Sequence, residues 1–353
     1  MKKFYFMFLV AIMYIGMNGF TLIGQAVEEE SSSFSYKVIL PENQHSKEVS
    51  YFDLRVTPSQ EQTVIIKMTN SSEKEITVEV SLNSAKTNTN GVVEYGPSEL
   101  KKDSSLKYDF ADIATGEKTV KIPAKQTIDY KLNIKMPNAS FDGVISGGIY
   151  MIEKGQIDGQ KAMIKNEYGY LVGMLLTETD TVIKPELSLN KVYAQQQNYR
   201  NAVFVNFSNT NPAYVDKMTL EGQITKKGSK EVLYDTKQNN MRMAPNSQIN
   251  FPILMNGEKM IPGDYNAHIL ITTENGGKWE WNQSFTITDE EADKFNKEDV
   301  SLLQENSINW WIILIIVLGI MMLGAIIFII IHIIGKKNKK RKKELRKSKK
   351  KHR

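Results

Sequence analysis

This chain carries few residues that could run covalent chemistry. None of its 353 residues is cysteine, which removes thiol catalysis, disulfide bridges and thiolate metal sites together. His45 and His268 precede the last long apolar run, and His332 and His352 lie in it or after it. No HExxH or GxSxG arrangement is present. An SxxK spacing begins at Ser71, Ser98, Ser104 and Ser188, but the SDN and KTG partners that give it catalytic meaning are missing. Two carboxylates suffice for a glycoside hydrolase. Here Asp and Glu fall at alternating strand positions or in turns beside lysines, the pattern of solvated faces. Asp289, Glu290, Glu291 and Asp293 lack the alternating oxygen ligands and the glycine of a calcium loop, and read as a solvated helix start. The expectation is a protein that is not an enzyme, with neither cofactor nor metal.

Residues suited to binding are better represented. Lys86-Thr87-Asn88-Thr89-Asn90-Gly91, ending at Tyr95, offers amides, hydroxyls and one ring on a loop. Asn88, Asn90 and Tyr95 are therefore candidate ligand contacts, although Asn-Gly is also a strong hairpin-turn signal. Trp279 and Trp281 share one face if Gly276-Gly277 turns the chain into a strand. Exposed, they would anchor a partner; buried, they would belong to the core.

The elements that must position these residues are strands. Val64, Ile66 and Met68 alternate, Asn70 to Lys74 turn the chain, and Ile76, Val78, Val80 and Leu82 alternate again. Ile128, Tyr130, Leu132, Ile134 and Met136 repeat the pattern, and Pro137, Asp142-Gly143 and Gly147-Gly148 read as closing punctuation. Gly143 to Tyr150 suits close backbone packing more than a ligand. A polar segment, Glu153 to Gly159, then separates a second set. There Val203, Val205 and Phe207 alternate, Met218, Leu220 and Ile224 follow with a one-residue slip near Gly222, and Pro252 marks an edge strand. The fold class is mainly β: two tandem immunoglobulin-like β-sandwich domains, 33–153 and 166–288, followed by one transmembrane α-helix.

The termini set the topology. Lys2 and Lys3, the apolar Phe4 to Ile23 and the small residues Gly24 and Ala26 read as a signal peptide over 1–26. Residues 289–307 form an acidic stalk, and 308–334 an uncharged run long enough to span a bilayer. Residues 335–353 are a basic cytoplasmic tail, too short and polar to fold alone. Trp310 and Trp311 at one end of the run, and Lys336 and Lys337 at the other, are the expected membrane anchors. From Lys336 to Arg353 there are 13 Lys/Arg and one Glu, a net of +12 within a whole-chain charge of +5. The rest of the chain carries −7, and −9 without Lys2 and Lys3, so the basic pI does not imply nucleic-acid binding. Absent cysteine and abundant Lys and Asn suit the surface of a Gram-positive bacterium, and no LPxTG-like sorting signal precedes the run.

The ordered segments LPENQ (Leu40 to Gln44), YFDLRVTPSQEQT (Tyr51 to Thr63), AKTNTNGVVEY (Ala85 to Tyr95) and MPNASFDGVISGGIY (Met136 to Tyr150) carry a family resemblance. So do NPAYVDKMTLEGQITKKGS (Asn211 to Ser229), MRMAPNSQINFPI (Met241 to Ile253), PGDY (Pro262 to Tyr265) and GGKWEWNQSFTIT (Gly276 to Thr288). In this order the chain resembles the Trp-x-Leu (WxL)-interacting proteins of Gram-positive bacteria. The resemblance implies a first domain that binds peptidoglycan and a second that binds secreted surface proteins carrying the WxL domain. It implies a scaffold at the cell membrane, single-pass with its C-terminus inside and its exported part at the cell wall. The alternative is a membrane-anchored adhesin that binds host matrix protein directly. The chain itself has no Trp-x-Leu motif; its tryptophans read Trp279-Glu280-Trp281 and Trp310-Trp311-Ile312.

Overall fold

The computed structural model describes residues 33–154, 168–303 and 310–350. The segment read as a signal peptide lies outside the described residues. The first sandwich is built from β1 (Phe34–Ile39), β2 (Phe52–Arg55), β3 (Glu61–Asn70), β4 (Ile76–Ser84), β5 (Lys86–Thr87), β6 (Val93–Glu94), β7 (Ala114–Thr115), β8 (Thr119–Ile122), β9 (Thr127–Lys135), β10 (Ile145–Lys154) and β11 (Gly169–Thr177). A short helix, α1 (Phe110–Ile113), precedes β7. One sheet runs β1-β3-β9-β7 and the other β2-β11-β10-β4-β8, with β5 and β6 paired as a separate hairpin. The period-2 pattern decides which faces meet. Val64, Ile66 and Met68 from β3 and Tyr130, Leu132 and Ile134 from β9 are all buried, and meet Ile76, Val78 and Val80 from β4 in one core. Burying each such side chain contributes about 1.5–3 kcal/mol relative to leaving it in water.

The second sandwich contains β12 (Leu187–Gln197), β13 (Arg200–Asn209), β14 (Val215–Lys226), β15 (Val232–Met243), β16 (Ser247–Leu254), β17 (Gly263–Thr273) and β18 (Lys278–Ile287). Its sheets run β12-β13-β16 and β15-β14-β17-β18. Pro252 lies in β16, at the edge of its sheet, where a missing N–H costs no ladder bond. α2 (Asp289–Glu298) follows, started by a capping box between Thr288 and Glu291, then α3 (Val300–Leu303). α4 (Trp310–Lys350) closes the described chain.

Four readings of the sequence need correction. The strand Gly169–Thr177, assigned above to the second domain, belongs to the first. β11 bonds antiparallel to β10 and parallel to β2, and it buries Val172, Met174 and Leu176 in the first core. Glu153 and Lys154 therefore end a strand whose sheet neighbour is the next strand in the chain, and the crossing between sandwiches follows Thr177. Gly147 and Gly148 are not a turn; they sit within β10, where a side chain would strike Phe110 and Tyr95. The slip near Gly222 is absent as well: Met218, Leu220, Gly222 and Ile224 all face inward. The register against β15 shifts instead at three places, between Val215 and Met218, where Lys217 takes φ 49°, between Met218 and Leu220, and between Ile224 and Thr225.

The acidic segment after residue 288 is the fourth. Its first part is no free stalk, because Ala292 and Phe295 enter the second core and buried Asp299 accepts a hydrogen bond from Asn201 N at 2.7 Å. Beyond it, Ile313–Lys337 is a 25-residue helical stretch long and apolar enough to cross a membrane. The helix continues through the basic segment to Lys350.

Candidate functional site

The two sandwiches meet over a polar junction, and most residues singled out in the first domain lie near it. β5 and β6 are only two residues each. So small a hairpin cannot hold itself together in water; it is held by docking. Asn88 closes its turn, accepting from Asn90 N at 3.0 Å and Val92 N at 3.1 Å and donating to Glu94 at 2.8 Å. Gly91 takes φ +70°, and a Cβ there would stand 2.6 Å from Cε of Met241 in β15. The bare backbone allows Arg242 N to donate to Gly91 O at 2.7 Å. Beside it, Thr87 and Ser247 share a buried 2.7 Å hydrogen bond. Ser247 donates to Ala244 O and Ala244 N donates to Thr87 Oγ1, which closes a ring of three bonds across the junction.

A second cluster centres on Tyr214. Its hydroxyl bonds both Tyr95 OH, at 3.0 Å, and Ser146 Oγ. Arg242 lies 4.1 Å over its ring and pairs with Asp216 at 2.5 Å. Burial, followed by the neighbouring Tyr95, holds the Tyr214 phenol far above the usual tyrosine range. Tyr95 is half-buried here, Asn88 likewise, and of the three proposed ligand contacts Asn90 alone is exposed. The segment is a hairpin, and its Thr87 and Tyr95 side chains reach the second sandwich.

The third set of contacts comes from the irregular stretch after β6. Lys102 O accepts from Gln248 at 3.0 Å, Asp103 accepts from Ser208, and Ser105 O accepts from Asn246 at 3.1 Å. Asp109 anchors the end of this stretch by capping α1 through Ala111 N and by pairing with Lys102 and Ser84. Burial alone would raise its pKa, but these three partners outweigh it and leave the carboxyl below its ordinary value.

Where the sandwiches do not touch, clefts remain. Gly143 (φ +86°) presses against Pro212, and Val144 N donates to Pro212 O at 2.8 Å. This contact separates two hollows. One, of about 350 Å³, is lined from the first sandwich by Lys107, Tyr108, Phe141 and Asp142 and from the second by Thr210 and Pro212. Tyr108 and Phe141 form an aromatic pair with centroids 5.9 Å apart. Glu178 fixes that pair's second ring by accepting from Ser140 Oγ at 2.8 Å and from Phe141 N at 3.0 Å. The other hollow, of about 380 Å³ and more open, is bordered by His45, Arg55, Asp180 and Asp216. No sequence pattern announced Tyr108, Phe141 or Tyr214. The one available signal was the fifteen residues from Tyr95 to Asp109, which lie between β6 and α1 outside any strand or helix. Structureless stretches of that length are uncommon and mark working loops.

The tryptophans lie elsewhere. Gly276 (φ +82°) turns the chain, β18 follows, and Trp279 and Trp281 share its inner face, half-buried against the second core. Trp281 packs 5.9 Å from Phe207, and Trp279 Nε1 reaches Glu186 at 3.4 Å. β18 is the outermost strand of its sheet. On α4, Trp310 is the first residue, while Trp311, Lys336 and Lys337 are exposed at the two ends of the apolar stretch.

With this geometry in place, the chain can be set against known proteins. Residues 34–153 match the family model described as "WxL Interacting Protein, peptidoglycan binding domain". Residues 159–297 match "WxL Interacting Protein, host binding domain". Both are binding domains rather than catalytic families. In the expected order and covering most of the chain, they establish that it belongs to the WxL-interacting protein family. The pair fits a surface scaffold or adhesin. β11 falls within the span of the second model although it completes the first sandwich. No curated protein matches the sequence. Similar solved structures include the Pseudomonas aeruginosa CupB2 chaperone, 11% identical with a TM-score of 0.25, covering 65% of this chain and 97% of that one. The E. coli chaperone DraB is 12% identical (TM-score 0.24, 66% and 94% covered). A PapD-like domain of human CEP192 is 7% identical (TM-score 0.27, 47% and 99% covered). Likenesses at these scores carry no functional argument.

Proposed function

We propose that this chain is a non-enzymatic, membrane-anchored scaffold of the cell surface. Its first sandwich holds peptidoglycan, and its second holds a surface protein that carries a WxL domain. The observation that carries the reading is the order of parts: a peptidoglycan-binding family match, a host-binding family match, then an apolar helix with a basic flank. In this reading the N-terminal signal directs export, Trp310 and Trp311 lie at the outer membrane face, and Lys336 and Lys337 lie at the inner one. Trp279 and Trp281, packed in part on the second core, offer the partner what remains exposed of their rings along the edge strand β18. Aromatic side chains of this kind supply large contact area at low entropic cost.

The second reading is an adhesin, favoured by the description of the second family as host-binding. One experiment separates the two. The full-length chain in membrane vesicles is mixed with purified cell walls, with secreted proteins of the same cells, and with host matrix protein. The scaffold reading expects cell walls and a WxL-domain protein to be retained. Retention of host protein without any WxL-domain protein would give the adhesin reading the second sandwich. Because β11 completes the first sandwich, a fragment ending at residue 153 lacks a central strand. Dividing the chain there would test a damaged domain.

A further inference from the structure

The geometry points to the cleft beside Gly143 as the peptidoglycan site, a composite site to which both sandwiches contribute; this rests on the peptidoglycan reading given above. The occupant is one peptidoglycan unit, acetylated amino sugars bearing a short peptide with a free carboxylate and a free amine.

Three features of the cleft match that chemistry. Tyr108 and Phe141, half-buried and paired at 5.9 Å, provide an aromatic wall on which the apolar face of a sugar ring can rest. Lys107 is an exposed cation that lies 4.9 Å over the Tyr108 ring and has no carboxylate partner among the described residues. Asp142 is an exposed anion whose one contact is with the Thr179 hydroxyl, at 2.5 Å, and no cation meets it among the described residues. Elsewhere on these sandwiches some exposed charges do neutralise each other, as Lys67 does with Asp129 at 2.8 Å. Here a cation and an anion line one hollow, each without an opposite charge. A zwitterionic peptide would supply both counter-charges. The hollow's volume, about 350 Å³, is at the lower end of the range for small-ligand sites.

The second sandwich closes the site. Thr210 and Pro212 form its far wall, and Asn246 holds that wall by donating to Thr210 O at 2.9 Å and to Ser105 O at 3.1 Å. Glu178 is a positioning residue for Phe141. It follows β11, so the support for the aromatic wall comes from the strand that sequence reasoning assigned to the other domain. A site made this way exists only while the two sandwiches stay docked.

The test uses the full-length chain in lipid nanodiscs. Its probes are intact cell walls, a purified soluble disaccharide-peptide, and an N-acetylglucosamine oligomer without peptide, each followed by calorimetric titration. Thr210→Trp fills the cleft from the second sandwich, where no peptidoglycan contact would otherwise be sought, and should abolish binding of the disaccharide-peptide. Tyr108→Ala should weaken it about tenfold through loss of the stacking face. Lys107→Glu, an exposed change that leaves packing intact, should weaken the peptide-bearing probe and spare the peptide-free one. The composite site is overturned if all three variants bind cell walls and the disaccharide-peptide like the wild type at unchanged melting temperature. If the wild-type chain itself retains no cell walls, the peptidoglycan reading fails first and this site with it.

Discussion

Two segments carry the residues that looked most like ligand contacts, and the fold treats them differently. The hairpin from Lys86 to Glu94 has polar side chains and an Asn-Gly turn, yet it is clasped between sandwiches. The strand from Lys278 to Ile287 carries two tryptophans, yet it is the outer edge of a sheet. Polarity alone would have exposed the first segment and buried the second. What separates them is how each satisfies its backbone. A ten-residue strand bonded along its length to β17 can stand at an edge. A hairpin with two-residue strands must borrow hydrogen bonds and packing from a neighbour. That neighbour is the second domain.

The largest effect should come from the glycine that lets the hairpin approach. Gly91→Val places a β-branched side chain at φ +70° and drives it into Met241, which should cost about 3 kcal/mol. Because the strain lies at the junction, calorimetry should show the melting transition lowered and split as the sandwiches uncouple. A single transition at the wild-type temperature would mean the hairpin does not tie the domains.

On the other side of the comparison, Trp281→Ala removes a ring packed on Phe207 and should cost about 2 kcal/mol, less than a fully buried tryptophan because it is half exposed. Trp279→Ala should cost about 1 kcal/mol by the same area argument. Under the scaffold reading both variants also release the WxL-domain partner. Denaturant titration and partner capture on the same samples separate the roles. Lost stability with intact capture would leave the tryptophans as core residues alone.

The patterns that were legible in the sequence are those with a local cause. Alternation at Val64, Ile66 and Met68, or at Val203, Val205 and Phe207, follows from one face of a strand being buried, and it identified several strands of each core. The capping box at Thr288 and the edge proline at 252 are equally local. Gly147-Gly148 was read both as punctuation and as close packing, because glycine serves both, and only Phe110 and Tyr95, far earlier in the chain, decide for packing. β11 was misplaced for a related reason. A polar stretch before a strand looks the same whether it joins two domains or two neighbours in a sheet. The junction itself was illegible, since Tyr95 and Tyr214 are 119 residues apart.

Smaller in size, but specific to the junction, is the Tyr214 hydroxyl. Tyr214→Phe leaves Tyr95 and Ser146 without their shared partner and should cost about 1 kcal/mol. The pH dependence has a definite sign. The folded-state pKa is raised, so the contribution is complete below the unfolded tyrosine value of about 10 and declines as pH rises above it. Tyr130, pushed up to about 12 mainly by burial, adds a similar decline in both proteins. The informative quantity is therefore the difference between wild type and Tyr214→Phe, which should shrink as pH climbs above 10. A constant difference across that range would show that the phenol does not titrate differently on folding.

The smallest effect should be the most discriminating. Asn90 is the exposed member of the three hairpin residues, and its backbone N–H, rather than its side chain, bonds Asn88. Asn90→Ala should therefore change stability by less than about 0.5 kcal/mol. With folding untouched, cell-wall binding becomes a clean readout. If the cleft beside Gly143 is the site, Asn90→Ala binds like the wild type, because the amide lies on the hairpin tip and does not line the hollow. A loss of binding would instead assign ligand contact to the hairpin tip. The hairpin would then serve two roles, its inner side holding the second sandwich and its tip meeting the glycan, and the contrast with the tryptophan edge would narrow to a difference of degree.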